Sequence, residues 1–110
     1  MIEMIVLNYL ETALEVSVFM EKPEKEPETY VLIEKTGSST EDFINSATIA
    51  IQSYAGTLFL AAELNEKVKK AMDNIIVLED ISKSKLNTDY NYTDTTKKKY
   101  RYQAVYDLVY

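Results

Sequence analysis

The sequence holds few residues whose types and spacing could support catalysis. It contains no histidine and no cysteine, which removes the commonest general base, the Ser-His and Cys-His nucleophile pairs and the usual zinc ligands. The adjacent acids Glu41-Asp42 and Glu79-Asp80 would point to opposite faces of a strand, so neither forms an acid–base pair. Two glycines leave no phosphate-binding loop. The sequence therefore predicts no enzyme, no catalytic residue and no cofactor.

One group of acids and amides has the composition of a cation site. Asp89, Asn91 and Asp94 lie close together in a polar stretch, but their spacing does not match the calcium loop of an EF-hand. We predict no metal site.

The stretch YRYQAVYDLVY, residues 100–110, raises three possibilities. On a strand, one face would carry Tyr100, Tyr102, Ala104, Tyr106, Leu108 and Tyr110. This face could stack nucleic-acid bases beside nearby lysines, form a subunit interface, or pack under helices as core. A net charge of −6 disfavours binding to phosphates, so we expect no nucleic acid to be bound sequence-specifically and favour a buried face.

Charge is distributed unevenly along the chain. Residues 1–50 hold ten acids and three lysines, whereas residues 51–110 hold nine bases and eight acids. A basic run and an acid-rich loop could meet between adjacent copies, and such head-to-tail contacts can close into rings. The candidate interface residues are Glu21, Glu24, Glu26, Glu28, Lys97, Lys98, Lys99 and Arg101.

The first half of the chain predicts one helix and three strands. Apolar residues at helical spacing predict a helix over 2–14, and a short β-rich piece covers 16–20. The proline-containing EKPEKEPE segment is predicted to be a solvated loop. Strands over 29–35 and 43–55 are predicted to form a hairpin with its turn at 36–40.

The second half predicts a helix and two more strands. Leucine, alanine and valine at helical spacing predict the helix over 57–75, and strands are expected at 79–86 and 100–110, separated by a polar, turn-rich stretch. The order α-β-β-β-α-β-β predicts one α+β domain over 1–110. Its largely antiparallel sheet would have four to five strands, with two helices packed on it.

The first residues, MIEMIVL, are apolar but lack the positive region of a signal peptide, and Glu3, Glu11 and Glu15 interrupt the apolar character of the segment. We therefore expect neither a signal peptide nor a membrane span, and a protein made in the cytoplasm.

Several short motifs resemble, in order and spacing, the small tail terminator proteins of long-tailed bacteriophages of the lambda type. They are Thr36-Gly37 after a strand, Ile51-Gln52-Ser53-Tyr54-Ala55 in the next strand, and Arg101-Tyr102-Gln103 in an aromatic hairpin. The resemblance covers most of the chain. It departs from the family pattern at Ser38, where a second glycine is common, and at Gly56-Thr57, where a serine usually follows the alanine.

This resemblance implies a structural virion protein without catalysis or cofactor. Such proteins form a hexameric ring that caps the tail tube, ends its polymerisation and joins it to head-completion proteins. The implied partners are other copies of the chain, the tube protein and a head-completion or connector protein. The implied location is the head-proximal end of the tail, after assembly in the host cytoplasm.

Two alternatives stay open at this point. A different head–tail joining or minor virion protein could share the fold and differ in its neighbours. An acidic inhibitor that mimics DNA is a candidate from another class, and it would need carboxylates spaced regularly over one face.

Reversing the charges of Lys97, Lys98 and Lys99 is expected to weaken assembly, because the basic run is predicted to contact an acidic neighbour. Oligomer mass measured at low salt tests this expectation, and an unchanged mass would count against it.

Overall fold

A computed structural model describes all residues 1–110, and it has the α+β fold and element order that the sequence predicts. Its elements are α1 (Ile2–Leu14), β1 (Ser17–Phe19), β2 (Tyr30–Glu41), β3 (Ile44–Ala55), α2 (Leu58–Asp73), β4 (Lys83–Asn91) and β5 (Tyr100–Val109). The five strands form one sheet in the order β1-β2-β3-β5-β4. Only the β1–β2 pair is parallel, so the sheet is largely antiparallel, as predicted.

Helix α1 is amphipathic and follows the predicted bounds. Ile2, Val6 and Leu10 recur every four residues and are buried against the sheet. The helix ends at Glu15, which adopts the left-handed conformation (φ 56°) while its N–H bonds to the carbonyl of Glu11.

Helix α2 begins at an N-cap and buries a longer stripe. The Thr57 side chain accepts a hydrogen bond from the N–H of Leu60, which satisfies one of the unpaired donors in the first turn. Its buried residues are Ala61, Leu64, Asn65, Val68 and Met72. The predicted extension to residue 75 is a separate 3-10 turn, Ile75–Val77.

The β2–β3 hairpin is longer than the sequence predicts. The turn expected at 36–40 is instead strand, and the chain reverses at Asp42-Phe43, where both residues have positive φ (51° and 65°). That is the backbone of a two-residue type I′ turn, which matches the twist of the flanking strands. Glycine and hydroxyl residues suggested an earlier turn, but Gly37 lies beside a register shift and the ladder continues past it.

Strand β4 lies further along the chain than the predicted 79–86. It covers Lys83–Asn91, which includes the second half of the predicted strand and the first five residues of the polar stretch that indicated a turn. Because β4 is an edge strand with several solvent-exposed side chains, its sequence carries little of the apolar alternation by which strands are recognised.

The final strand is central rather than peripheral. β5 pairs with β3 on one side and with β4 on the other, and Ile49 lies opposite Tyr106. The core lies between the helices and one face of this sheet, where Ile33, Ile51 and Leu108 are also buried. Neither α1 nor α2 combines the length with the apolar character that a membrane-spanning helix needs.

Truncation at the middle of β3 should be costly. Ile49→Ala removes a fully buried side chain and is expected to lower the free energy of unfolding by about 2–5 kcal/mol. Ile44→Ala on the same strand removes a side chain that is 53% exposed and should cost under about 1 kcal/mol. Chemical denaturation of both variants measures the difference, and equal losses would contradict the placement of the core.

Candidate interaction surfaces

The acidic loop and the basic turn, predicted to meet between copies, come together within one chain. The Lys99 ammonium lies 2.7 and 2.9 Å from the two carboxylate oxygens of Glu26, and Lys22 lies 3.2 Å from the same carboxylate. Tyr30 also donates its hydroxyl hydrogen to Glu26, at 3.1 Å. One acid of the loop is therefore neutralised without a neighbouring subunit.

This environment changes how Glu26 and Tyr30 titrate. Hydrogen bonding to the Lys99 ammonium is the main cause that lowers the pKa of Glu26 from its ordinary 4.5 to about 2, and Lys22 and Tyr30 add to it. Burial is the main cause that raises the pKa of the Tyr30 hydroxyl, and the adjacent Glu26 carboxylate adds to it. Both groups keep their usual charge at neutral pH.

The basic turn is held by Asp94. Its carboxylate accepts hydrogen bonds from the hydroxyl and N–H of Thr96 and from the N–H of Lys97, and its backbone pairs with Lys99. These bonds lower the pKa of the Asp94 carboxyl, the Thr96 hydroxyl contributing most. Lys98 sits at the reversal with φ 51°.

The remaining predicted interface residues fall into two groups. Five are exposed and form no ion pair within the chain: Glu21, Glu24, Glu28, Lys97 and Lys98. Arg101 instead makes internal contacts. It donates to the Tyr54 hydroxyl at 2.7 Å and to the Tyr92 carbonyl at 2.6 Å, and its guanidinium lies 4.4 Å from the centre of the Tyr92 ring. Contact between copies thus stays a prediction for the five exposed residues.

The sheet face opposite the helices carries a network of tyrosines and glutamines. Tyr30 and Tyr54 stack with ring centres 4.5 Å apart. The Tyr54 hydroxyl donates to Gln52, whose amide donates to Gln103 on β5. Gln103 in turn bonds to the Tyr90 hydroxyl on β4. The network crosses four strands and fixes the positions of these polar groups.

The tyrosines of β5 lie on the helix side, as expected. Ala104, Tyr106 and Leu108 are buried, while Tyr100, Tyr102 and Tyr110 are half-buried. The prediction that this face of the strand is buried is therefore confirmed for the central residues of β5. The hydroxyl of Tyr106 donates to the Lys69 carbonyl at 3.1 Å and lies 3.0 Å from the Asp73 carboxylate. The stacking face predicted as an alternative is thus largely covered.

The most exposed apolar residue lies at the hairpin turn. Phe43 is 100% exposed and Ile44 is 53% exposed, and both follow Glu41 and Asp42. We call residues 41–44 the hairpin tip. Strand β5 pairs with β3 only as far as Ser46, so the hairpin tip extends past the end of β5 and is formed by the β2–β3 hairpin alone.

A second apolar surface lies at the start of α2. Leu58, Phe59 and Leu60 are all at least 40% exposed, and Phe59 lies beside Tyr102, Glu63 and Glu66 in a shallow depression. Ile76 and Val77 form a further exposed pair after α2.

The acids and amides weighed as a cation site have other partners. Asp89 accepts hydrogen bonds from Asn65 and Lys69, and Asn91 accepts from Thr93. No group of three or more histidine, cysteine, aspartate or glutamate residues is arranged to hold a metal ion.

Sequence reasoning missed the hairpin tip and the tyrosine network. The hairpin tip was hidden because Gly37 and the serines that follow it are typical of a turn, whereas Phe43 is not. Strand alternation does place Gln52 and Tyr54 on one face of β3, and this signal could have indicated a polar row there.

No protein-family model and no curated protein matches this chain.

The Glu26 carboxyl is expected to titrate near pH 2. Because its folded pKa lies below the ordinary value, its interactions stabilise the fold above about pH 4.5, and this contribution is lost as pH falls toward 2. Carboxyl ¹³C NMR measures the midpoint. Lys99→Met should raise it toward 4.5, and Lys98→Met should leave it unchanged; an ordinary midpoint in the unmodified protein would contradict the internal pairing.

Proposed function

We propose that the protein is a structural virion protein of a long-tailed bacteriophage, which forms a ring that caps the tail tube. It would end tube polymerisation and provide the joint to head-completion proteins. The motif order that resembles tail terminators supports this role, and so does the α+β fold with the element order α-β-β-β-α-β-β. Neither a catalytic group nor a cofactor is required.

The observation that carries the proposal is the projecting hairpin tip. A fully exposed phenylalanine beside two acids does not pack in the core of its own chain, so its apolar surface is available to another molecule. The molecule is elongated, with extents of 44 × 25 × 25 Å, and the hairpin tip projects beyond the strands that pair with it. A ring subunit needs such features, since it contacts two neighbours through different surfaces.

Two further surfaces suit the partners that a tube cap requires. Leu58, Phe59 and Leu60 present apolar side chains at the start of α2, and Ile76 with Val77 presents another exposed pair. In this proposal such surfaces contact the tube protein and a head-completion or connector protein. The protein would then reside at the head-proximal end of the tail, after assembly in the host cytoplasm.

The alternatives differ in their surface requirements. Another head–tail joining protein of the same fold would use similar surfaces with different neighbours. A DNA mimic would need carboxylates spaced regularly over one face, whereas the exposed acids Glu21, Glu24 and Glu28 cluster in one loop beside Glu26, which is bonded to Lys99. The tube cap is therefore the better supported role.

Electron microscopy tests the proposal directly. Purified protein mixed with tail tubes should form a ring at one end of each tube and should stop tube growth when added during polymerisation. Phe59→Ser at the exposed start of α2 serves as a variant expected to weaken tube binding while the fold is retained. Tubes that stay uncapped and grow unchanged in the presence of the unmodified protein would reject this function.

A further inference from the structure

A groove between the two helices is lined by four apolar or aromatic residues, two lysines and an asparagine. It has a volume of about 440 Å³, within the range of pockets that hold drug-sized ligands. The residues that line it are Tyr9, Ala13, Leu14, Lys67, Lys70, Ala71 and Asn74. The Tyr9 hydroxyl donates to the Ala71 carbonyl at 2.8 Å, which fixes the ring as a bridge between α1 and α2. We call this the helix groove.

The cations of the helix groove have no partner in the chain. Lys67 and Lys70 are exposed and make no ion pair, whereas Lys69, between them in sequence, is bonded to Glu66 and Asp89. The helix groove therefore combines aliphatic and aromatic surface with two uncompensated positive charges. Its complement would be an apolar side chain flanked by acids.

The hairpin tip has this composition. Phe43 is fully exposed, and Glu41 and Asp42 precede it without any ion pair of their own. Phe43 also adopts φ 65°, a conformation that is unusual for a bulky residue. Neither burial nor backbone preference within the chain explains a phenylalanine at this position, and such an outlier points to contact with another molecule.

We propose that the hairpin tip of one copy inserts Phe43 into the helix groove of a second copy. Glu41 and Asp42 would then face Lys67 and Lys70, and the Phe43 ring would lie against the Tyr9 and Ala13 side of the helix groove. Aromatic anchors in a pocket, with opposite charges at the rim, are the usual composition of a strong contact between proteins.

The hairpin tip does not lie in the helix groove of its own chain, since Phe43 is fully exposed. Leu14 at one end of the helix groove also lines a small cavity with Thr29 and Ala55, at the start of β2 and the end of β3. The 12 residues of β2 lead from there to the hairpin tip, a distance of roughly 36 Å. The contact is therefore head-to-tail between copies, the type that closes into rings. The inference rests on the proposed ring only in that both require self-association.

The other apolar surface is a poorer receptor for the hairpin tip. Phe59 and Tyr102 could contact an aromatic ring, but Glu63 and Glu66 line the same depression. Those carboxylates would repel Glu41 and Asp42, and like charges brought together at an interface cost affinity.

Disulfide cross-linking tests the contact, and the absence of cysteine from the chain makes it selective. Glu41→Cys protein is mixed with Lys70→Cys protein and oxidised at high concentration. We expect a cross-linked heterodimer in severalfold excess over the matched mixture of Glu41→Cys with Lys85→Cys, because Lys85 is also exposed but lies on β4, outside every predicted contact. A double variant carrying both Glu41→Cys and Lys70→Cys should give a ladder of multimers.

Equal yields in the two mixtures would overturn the proposal. An excess of the Glu41→Cys homodimer over the heterodimer would also overturn it, since the hairpin tip would then face a second hairpin tip and not the helix groove.

Charge exchange provides a second measurement. Two double variants reverse the charges, Lys67→Glu/Lys70→Glu in the helix groove and Glu41→Lys/Asp42→Lys in the hairpin tip. Each should lower the association constant between copies by at least about tenfold. Mixing the two charge-reversed proteins should restore it. Phe43→Ser should reduce it without lowering the melting temperature, because Phe43 packs on nothing in its own chain, and Phe59→Ser should leave it unchanged. If each charge reversal lowers the association constant and mixing the two proteins does not restore it, the pairing of the hairpin tip with the helix groove is contradicted.

The two proposals can fail separately. The cross-linking uses the protein alone, whereas the capping assay requires tail tubes. Cross-linked rings that leave tubes uncapped would reject the tube cap and keep the contact. Capped tubes without the Glu41–Lys70 cross-link would reject the contact and keep the tube cap.

Discussion

The structure depends on the burial of Tyr106 opposite Ile49 at the centre of the sheet. Both side chains are wholly excluded from solvent, and their strands β3 and β5 are hydrogen-bonded to neighbours along both edges. The Tyr106 hydroxyl reaches the Lys69 carbonyl and the Asp73 carboxylate, so one residue fills the core and also ties the sheet to α2. A buried tyrosine is stable only where its hydroxyl has partners, and this requirement fixes how helix and sheet are placed.

A core fixed in this way leaves several surfaces free for other molecules. The hairpin tip extends past the end of β5. The helix groove lies between α1 and α2, and its Leu14 end is close to Thr29 and Ala55, at the other end of the β2–β3 hairpin. Each surface carries charge that the chain itself leaves uncompensated, negative at the hairpin tip and positive at the helix groove. A subunit with two separated, complementary surfaces is suited to assembly by repetition, which is the behaviour that the proposed tube cap requires.

Other charged residues serve the subunit itself. Glu26 joins the acidic loop to the basic turn through Lys99, and Arg101 lies between two tyrosines. The uneven charge distribution along the sequence therefore becomes partly neutralised when distant segments meet. It remains unbalanced at residues such as Glu24 and Lys98, where a contact between copies is still predicted.

The sequence by itself determined the α+β class, both helices and the burial of the central residues of β5, because these depend on apolar periodicity that burial imposes locally. It did not determine the hairpin turn or the bounds of β4. Serine and glycine tolerate extended backbone once a neighbouring strand supplies hydrogen bonds, and a polar edge strand has little apolar pattern. Only the tertiary structure decided which charges are satisfied within the subunit. The separation of Glu26 from Lys99, or of Phe43 from Tyr9, is a distance in space set by strand order and not by spacing along the chain.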